Sequence, residues 1–171
     1  MALSPESPLL VAVDTNVALD FADERDIVRD AISTIQARRP ASSLFAPPTV
    51  VGELAFGVKI ADEDWKRMAA RKFLEQHRAW GFHLIHFVPI GGDVLARVSD
   101  ALRRPGLLPA EEVNDSRILA EAAALGGNLL LTSDEHLRGI DFTLLTFALK
   151  AFDLTAPVIA TPREIVKNFF R

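Results

Sequence analysis

The chain has 171 residues, 49% of them apolar, a net charge of −4 and no cysteine. This length supports one hydrophobic core, so a single domain over residues 1–171 is expected, and the lack of cysteine excludes disulfides and thiolate zinc sites. The acidic balance gives no electrostatic case for a polyanionic partner, which would need a local basic patch or bound metal.

Met1 to Pro8 has neither a basic stretch nor a long apolar core, so no signal peptide is expected there. No apolar run approaches the roughly 20 residues that span a bilayer, and the cytoplasm is the expected location.

Short apolar runs alternate with longer segments of helical period, the pattern of βαβ units around a parallel sheet flanked by helices. Leu9 to Val13 reads as the first strand. Val17 to Ala22 is a short helical piece, and Ile27, Ala31, Ile32 and Ile35 mark the next helix at helical spacing. Ser43 to Ala46 is a strand stopped by Pro47-Pro48, and Thr49 to Ile60 is a helix favoured by proline at its first turn. Asp62 to Trp80 predicts a long charged helix with Trp65, Met68, Ala69, Phe73 and Leu74 facing inward.

His83 to Ile90 predicts a strand, and Val94 to Arg104 a helix stopped by Pro105-Gly106. Asn114 to Leu125 predicts a helix ended by Gly126-Gly127, where glycine takes the left-handed cap. Asn128 to Thr132 and Pro157 to Ala160 are the last strands, the second running into the capping box Thr161-Pro162-Arg163-Glu164. Phe142 to Leu154 reads as a helix, with Leu144, Leu145, Ala148, Leu149 and Phe152 on one face, although its Thr and Phe content would also suit a strand.

Four acids fall where such a chain leaves side chains at one end of its sheet. Asp14 closes the first strand and Asp134 follows Leu129 to Ser133. Asp115 precedes the run Ile118 to Leu125, and Glu53 lies early in the helix after Pro47-Pro48. Singly, Asp14, Asp134 and either Asn114 or Asp115 have an ordinary explanation as helix N-caps. Glu53 lies among Val50, Val51, Leu54, Ala55 and Phe56, where a carboxylate is seldom buried unless paired or metal-bound. As a set they can converge at the carboxyl ends of the strands, where parallel sheets gather ligands. Converging carboxylates repel unless a hard divalent cation, Mg²⁺ or Mn²⁺, lies between them.

Val11-Ala12-Val13-Asp14-Thr15-Asn16-Val17-Ala18-Leu19 resembles the opening of PIN (PilT N-terminus) domains. Pro48 to Leu54 resembles their second motif, Asn114 to Ala122 the third, Leu130 to Asp134 the fourth and Ile159 to Glu164 the end of the bacterial members. The resemblance covers nearly the whole chain in order. It implies a three-layer α/β fold, a mostly parallel sheet between helices, and an acidic pocket that binds one or two Mg²⁺ or Mn²⁺ ions. It also implies phosphodiester hydrolysis of RNA, as in VapC toxins of bacterial toxin–antitoxin pairs, with a small antitoxin as a further partner. By motif, Asp14, Glu53, Asp115 and Asp134 would be the catalytic and metal-binding cluster. Asn16 would be a polar supporter near the pocket, while Thr132 and Ser133 would orient Asp134 or a water. Asp20 matches no such position and reads as a cap or a solvent-facing acid.

His83 and His86 lie on opposite faces of the expected strand and make a poor ligand pair. His136, two residues after Asp134, is better placed, with an exposed loop as its ordinary explanation. The basic segment with Lys59, Lys66, Arg67, Arg71, Lys72 and Arg78 is diluted by acids; it is either an ion-paired helix face or a rim for RNA phosphates. Neither glycine pair has phosphate-loop spacing. The late apolar residues Phe142, Leu145, Leu149, Phe152, Phe169 and Phe170 suggest a homodimer interface, or alternatively cover for a sheet edge. Two rivals remain: a PIN-fold module that binds RNA or protein without cutting, and a haloacid-dehalogenase-like phosphatase. The phosphatase needs Asp-x-Asp after the first strand, which Asp14-Thr15-Asn16 does not supply.

Overall fold

The strands are short, and the computed structural model, which describes residues 7–169, places five of them in one sheet. They are β1 Leu10–Val13, β2 Ser43–Ala46, β3 Phe82–Leu84, β4 Leu129–Leu131 and β5 Val158–Ala160. Their order is β3-β2-β1-β4-β5, and every pairing is parallel. Val11, Ala12 and Val13 are wholly buried, as are Leu130 and Leu131. Successive strand side chains point to opposite faces, so both faces of the central sheet are covered.

The helices between the strands are α1 Thr15–Ala22, α2 Asp26–Arg38, α3 Pro48–Ile60, α4 Asp64–Gln76, α5 Gly92–Leu102 and α6 Val113–Ala124. The later ones are α7 Glu135–Arg138, α8 Phe142–Lys150 and α9 Pro162–Phe169. Helix α2 packs on α9, α3 on α4 and α6, and α5 on α6 and α8. Among the described residues no helix is long and apolar enough to cross a membrane.

From β1 the chain builds outward to β2 and β3, then returns to place β4 on the other side of β1. The strand order therefore reverses between β1 and β4, the switch point where open parallel sheets leave a ligand crevice. Gly126, with φ 75°, and Gly127, where a Cβ would meet Ala122 O at 2.9 Å, make the tight exit from α6 into β4.

Several expectations are corrected. The strand expected over His83 to Ile90 ends at Leu84. Its partner β2 runs into Pro47, which lacks an N–H, so the ladder stops after Ile85 N donates to Ala46 O. His83 and His86 are both exposed. In α4 the inward face is Ala69, Ala70 and Phe73, with Trp65 and Leu74 half-buried; Met68 is 72% exposed. Leu145 and Leu149 are fully buried in the chain's own core, so they are not free for a dimer interface. Phe142 remains exposed and Phe152 half-buried; the Phe169 side chain and Phe170 lie outside the described residues. Helix α6 begins at Val113 after Glu112, so neither Asn114 nor Asp115 is its N-cap.

Candidate active site

Asp14 leaves β1 at the switch point, its N–H donating across to Leu131 O at 3.0 Å. It is only 4% exposed, and it is the N-cap of α1. One carboxylate oxygen, Oδ1, accepts Thr15 N at 2.6 Å. The other, Oδ2, accepts the Thr132 hydroxyl at 2.6 Å and Asn16 Nδ2 at 3.3 Å. Asp134 caps α7, with Oδ1 accepting His136 N at 2.8 Å and Leu137 N at 3.2 Å. The cap explanation of these two acids is correct, and it does not exhaust them, since an aspartate has more acceptor sites than a cap uses.

Glu53 comes from the second turn of α3, half-buried, with both oxygens engaged. Thr15 donates its hydroxyl to Oε2, and Asn114 Nδ2 donates to Oε1 at 2.8 Å. Its apolar neighbours are divided: Val50 and Leu54 are buried while Ala55 and Phe56 are exposed. Asp115 sits half-buried in the first turn of α6. Ser133 N donates to Asn16 Oδ1 at 3.2 Å, and its side chain is exposed at the rim. Asp20 lies within α1 rather than capping it, half-buried, and burial raises its carboxyl pKa.

The four acids interact through space. Burial pushes the Asp14 carboxyl up to about 6, against the opposing Thr132 and Thr15 hydrogen bonds and with added repulsion from Glu53 and Asp134. Burial likewise pushes Asp115 up to about 7, with Asp134, Asp14 and Glu112 repelling it. Among the described residues no lysine or arginine forms an ion pair with any of the four. The crevice thus gathers carboxyl groups with no lysine or arginine paired to them among the described residues.

A hard divalent cation fits this donor chemistry, which is all carboxylate, hydroxyl and amide oxygen. Among the described residues, however, no three acidic or histidine side chains are gathered closely enough to form a ready-made cage. The two observations agree for Mg²⁺, which keeps several waters and takes one or two carboxylates plus substrate oxygens rather than a closed protein shell.

Two acids of this region escape motif reasoning. Glu112 repels the Asp115 carboxylate and lies 3.4 Å from Nε2 of the exposed His136. Glu121, 5% exposed on α6, accepts Thr49 N at 2.9 Å and the Thr49 hydroxyl at 2.7 Å. It supplies the cap that Pro47 cannot give α3, and Thr49 lies one turn before Glu53. The signal for Glu121 was present: a glutamate inside the apolar run Ile118 to Ala123. A cleft of about 760 Å³ between α1, α3 and α4 includes none of the four acids; Trp65, Met68, Arg71 and Lys72 are among its walls. In α4 the expected ion-paired face is present, with Lys66 on Glu63, Arg67 on Asp64 and Lys72 on Glu24.

A family model described as the PIN domain matches residues 11–143 of the chain. The fold is similar to a chain in the crystal structure of VapBC2 from Rickettsia felis bound to a DNA fragment from their promoter. That likeness has a TM-score of 0.58 at 16% identity, covering 90% of this chain and 98% of that one. No curated protein matches the chain.

Proposed function

The chain belongs to the PIN domain family, and on that premise we propose that it is a metal-dependent endoribonuclease, hydrolysing RNA phosphodiesters in the acidic crevice. The observation that supports this reading is the mutual repulsion among Asp14, Glu53, Asp115 and Asp134, none of which has a lysine or arginine ion-pair partner among the described residues, with two carboxyls raised to about 6 and about 7. Perturbed acids without a structural counter-ion are the mark of a site built for something it binds.

In this reading Asp14, Glu53, Asp115 and Asp134 would hold one or two Mg²⁺ or Mn²⁺ ions. When bound, such an ion acidifies water near neutral pH and offsets charge on the phosphate. The chain's own residues prepare the site. Thr132 fixes Asp14, Thr15 and Asn114 fix Glu53, and the Asn16–Ser133 contact joins the β1 and β4 sides of the crevice. Hydrolysis adds water across one P–O bond of the chain and leaves a phosphate end and a hydroxyl end.

The solved neighbour belongs to a toxin–antitoxin pair, and we read this chain as a VapC-like toxin with a small antitoxin partner, acting in the cytoplasm. Self-association is part of the same reading, supported by the exposed Phe56, Ile60, Met68, Phe142 and Phe147. The second reading is a PIN-fold module that binds without cutting.

The test is cleavage of a broad panel of single-stranded and structured RNAs with Mg²⁺ or Mn²⁺. The nuclease reading expects cleavage that EDTA abolishes. Binding without metal-stimulated cleavage on every RNA would select the binding module.

A further inference from the structure

Next to the acidic crevice, over the carboxyl end of β5, lies a second cleft of about 290 Å³. Its polar walls are Ser133, Arg138 at the end of α7, Thr161 and Arg163 in the first turn of α9, with Asp20 at one side. Both arginines are exposed, and among the described residues neither takes part in an ion pair or a side-chain hydrogen bond. This sets them apart from Lys66, Arg67, Lys72 and Arg103, each already held by an acid.

The nearby acids do not neutralise them. The cation acting on Asp20 is Arg25. Glu164 turns back on Thr161, accepting its N–H at 2.8 Å and its hydroxyl at 3.1 Å. Two unpaired guanidinium groups therefore face one cleft whose floor, Ile27, Val28 and Pro162, offers them no counter-charge. The cleft joins the acidic site through a short chain of contacts. Ser133 lines the cleft and donates its N–H to Asn16, and Asn16 donates to Asp14 Oδ2.

We propose that Arg138 and Arg163 form a phosphate subsite that holds the RNA backbone one step from the scissile bond. The proposal rests on the ribonuclease reading for the identity of the polyanion. Metal in the crevice would offset charge only at the scissile phosphate, and on a net-acidic protein the rest of an RNA backbone calls for a local basic contact. Arginine suits that task because its planar fork can donate two parallel hydrogen bonds to phosphate oxygens. Contacts of this kind fix the strand's register and carry no base information.

The experiment measures binding of a fluorescein-labelled single-stranded RNA by anisotropy across a salt series. Ca²⁺ is present to offset the acidic crevice, and the RNA is confirmed intact afterwards. Wild type is compared with Arg138→Gln/Arg163→Gln and with Arg138→Lys/Arg163→Lys. Each phosphate contact on a single strand adds about 0.7 to the slope of log affinity against log salt. The glutamine double variant should lose about 1.4 from the slope, while the lysine variant keeps it because the point charges remain. Melting temperatures of both variants should match wild type, since both side chains are exposed. An unchanged slope in the glutamine variant, or no measurable RNA binding by wild type, overturns the subsite. Metal-stimulated cleavage by the same wild-type protein is scored separately, so a failed subsite is distinguishable from a failed nuclease.

Discussion

Thr132 and Asp14 lie 118 residues apart, yet the buried Thr132 hydroxyl donates to Asp14 Oδ2 at 2.6 Å while accepting Asp134 N at 3.0 Å. One side chain thus aligns an acid at the end of β1 with another beyond β4. Thr132→Val keeps the shape and removes both bonds, leaving a buried carboxyl short of a donor at a cost of about 1–3 kcal/mol. Urea unfolding should show that loss for valine and little for Thr132→Ser. Equal stability of the valine and serine variants would contradict the bridging role.

Asp14 is both a cap and a proposed metal ligand, and two substitutions separate the roles. Asn is itself a good cap, so metal-free Asp14→Asn should melt at or above wild type because repulsion from Glu53 and Asp134 is relieved. Asp14→Ala should lose about 0.5–2 kcal/mol with the cap. Mn²⁺ should raise the melting temperature of wild type by mass action and do much less for either variant. The same metal shift in all three proteins would remove Asp14 from the ligand set.

The pH dependence follows from the raised carboxyls. The folded protein binds protons at Asp14 and Asp115 more tightly than the unfolded chain, where both have an ordinary value of 3.8. Their contribution is therefore favourable at low pH and lost as pH rises through the folded values, about 6 and about 7. For the buried Asp14 the gap is worth on the order of 3 kcal/mol. The stability advantage of metal-free Asp14→Asn over wild type should be absent near pH 4 and grow toward pH 7. An advantage that shrinks over that range has the wrong sign for this account.

Glu121 caps α3 from α6, and its carboxyl is raised by burial against the two Thr49 hydrogen bonds. Glu121→Ala should unfold with about 1–3 kcal/mol less stability. It should also speed hydrogen exchange at the Thr49 amide, one turn from Glu53. Glu121→Gln keeps an acceptor and should protect that amide. Unchanged exchange in the alanine variant would show that α3 is held by packing alone.

Much of the architecture was legible because it rests on local signals. The strand Ser43 to Ala46 ends at two prolines, and Phe142 onward is helical because its apolar residues recur at helical spacing. The convergence of Asp14 with Asp134 was readable from strand ends and the switch-point rule. What was hidden depends on partners distant in sequence. The strand after Phe82 is cut short by Pro47 on its neighbour, and Met68 turns outward because Ala69, Ala70 and Phe73 already fill the inward face. Glu112 stayed outside the reading because the start of α6 was placed at Asn114, two residues beyond its cap. Thr132 was expected to serve Asp134; its hydroxyl bond to Asp14 requires the β1–β4 register, with Val13 opposite Leu131.

The central claim is that the four-acid crevice is where RNA is cut. Its most direct test is the rate of RNA cleavage in Mn²⁺ by wild type, Asp14→Asn and Asp115→Asn, each shown folded by its melting transition. The account predicts cleavage by wild type and its loss in both variants, since each substitution deletes a ligand charge and keeps the side-chain shape. Full activity in either folded variant would contradict it.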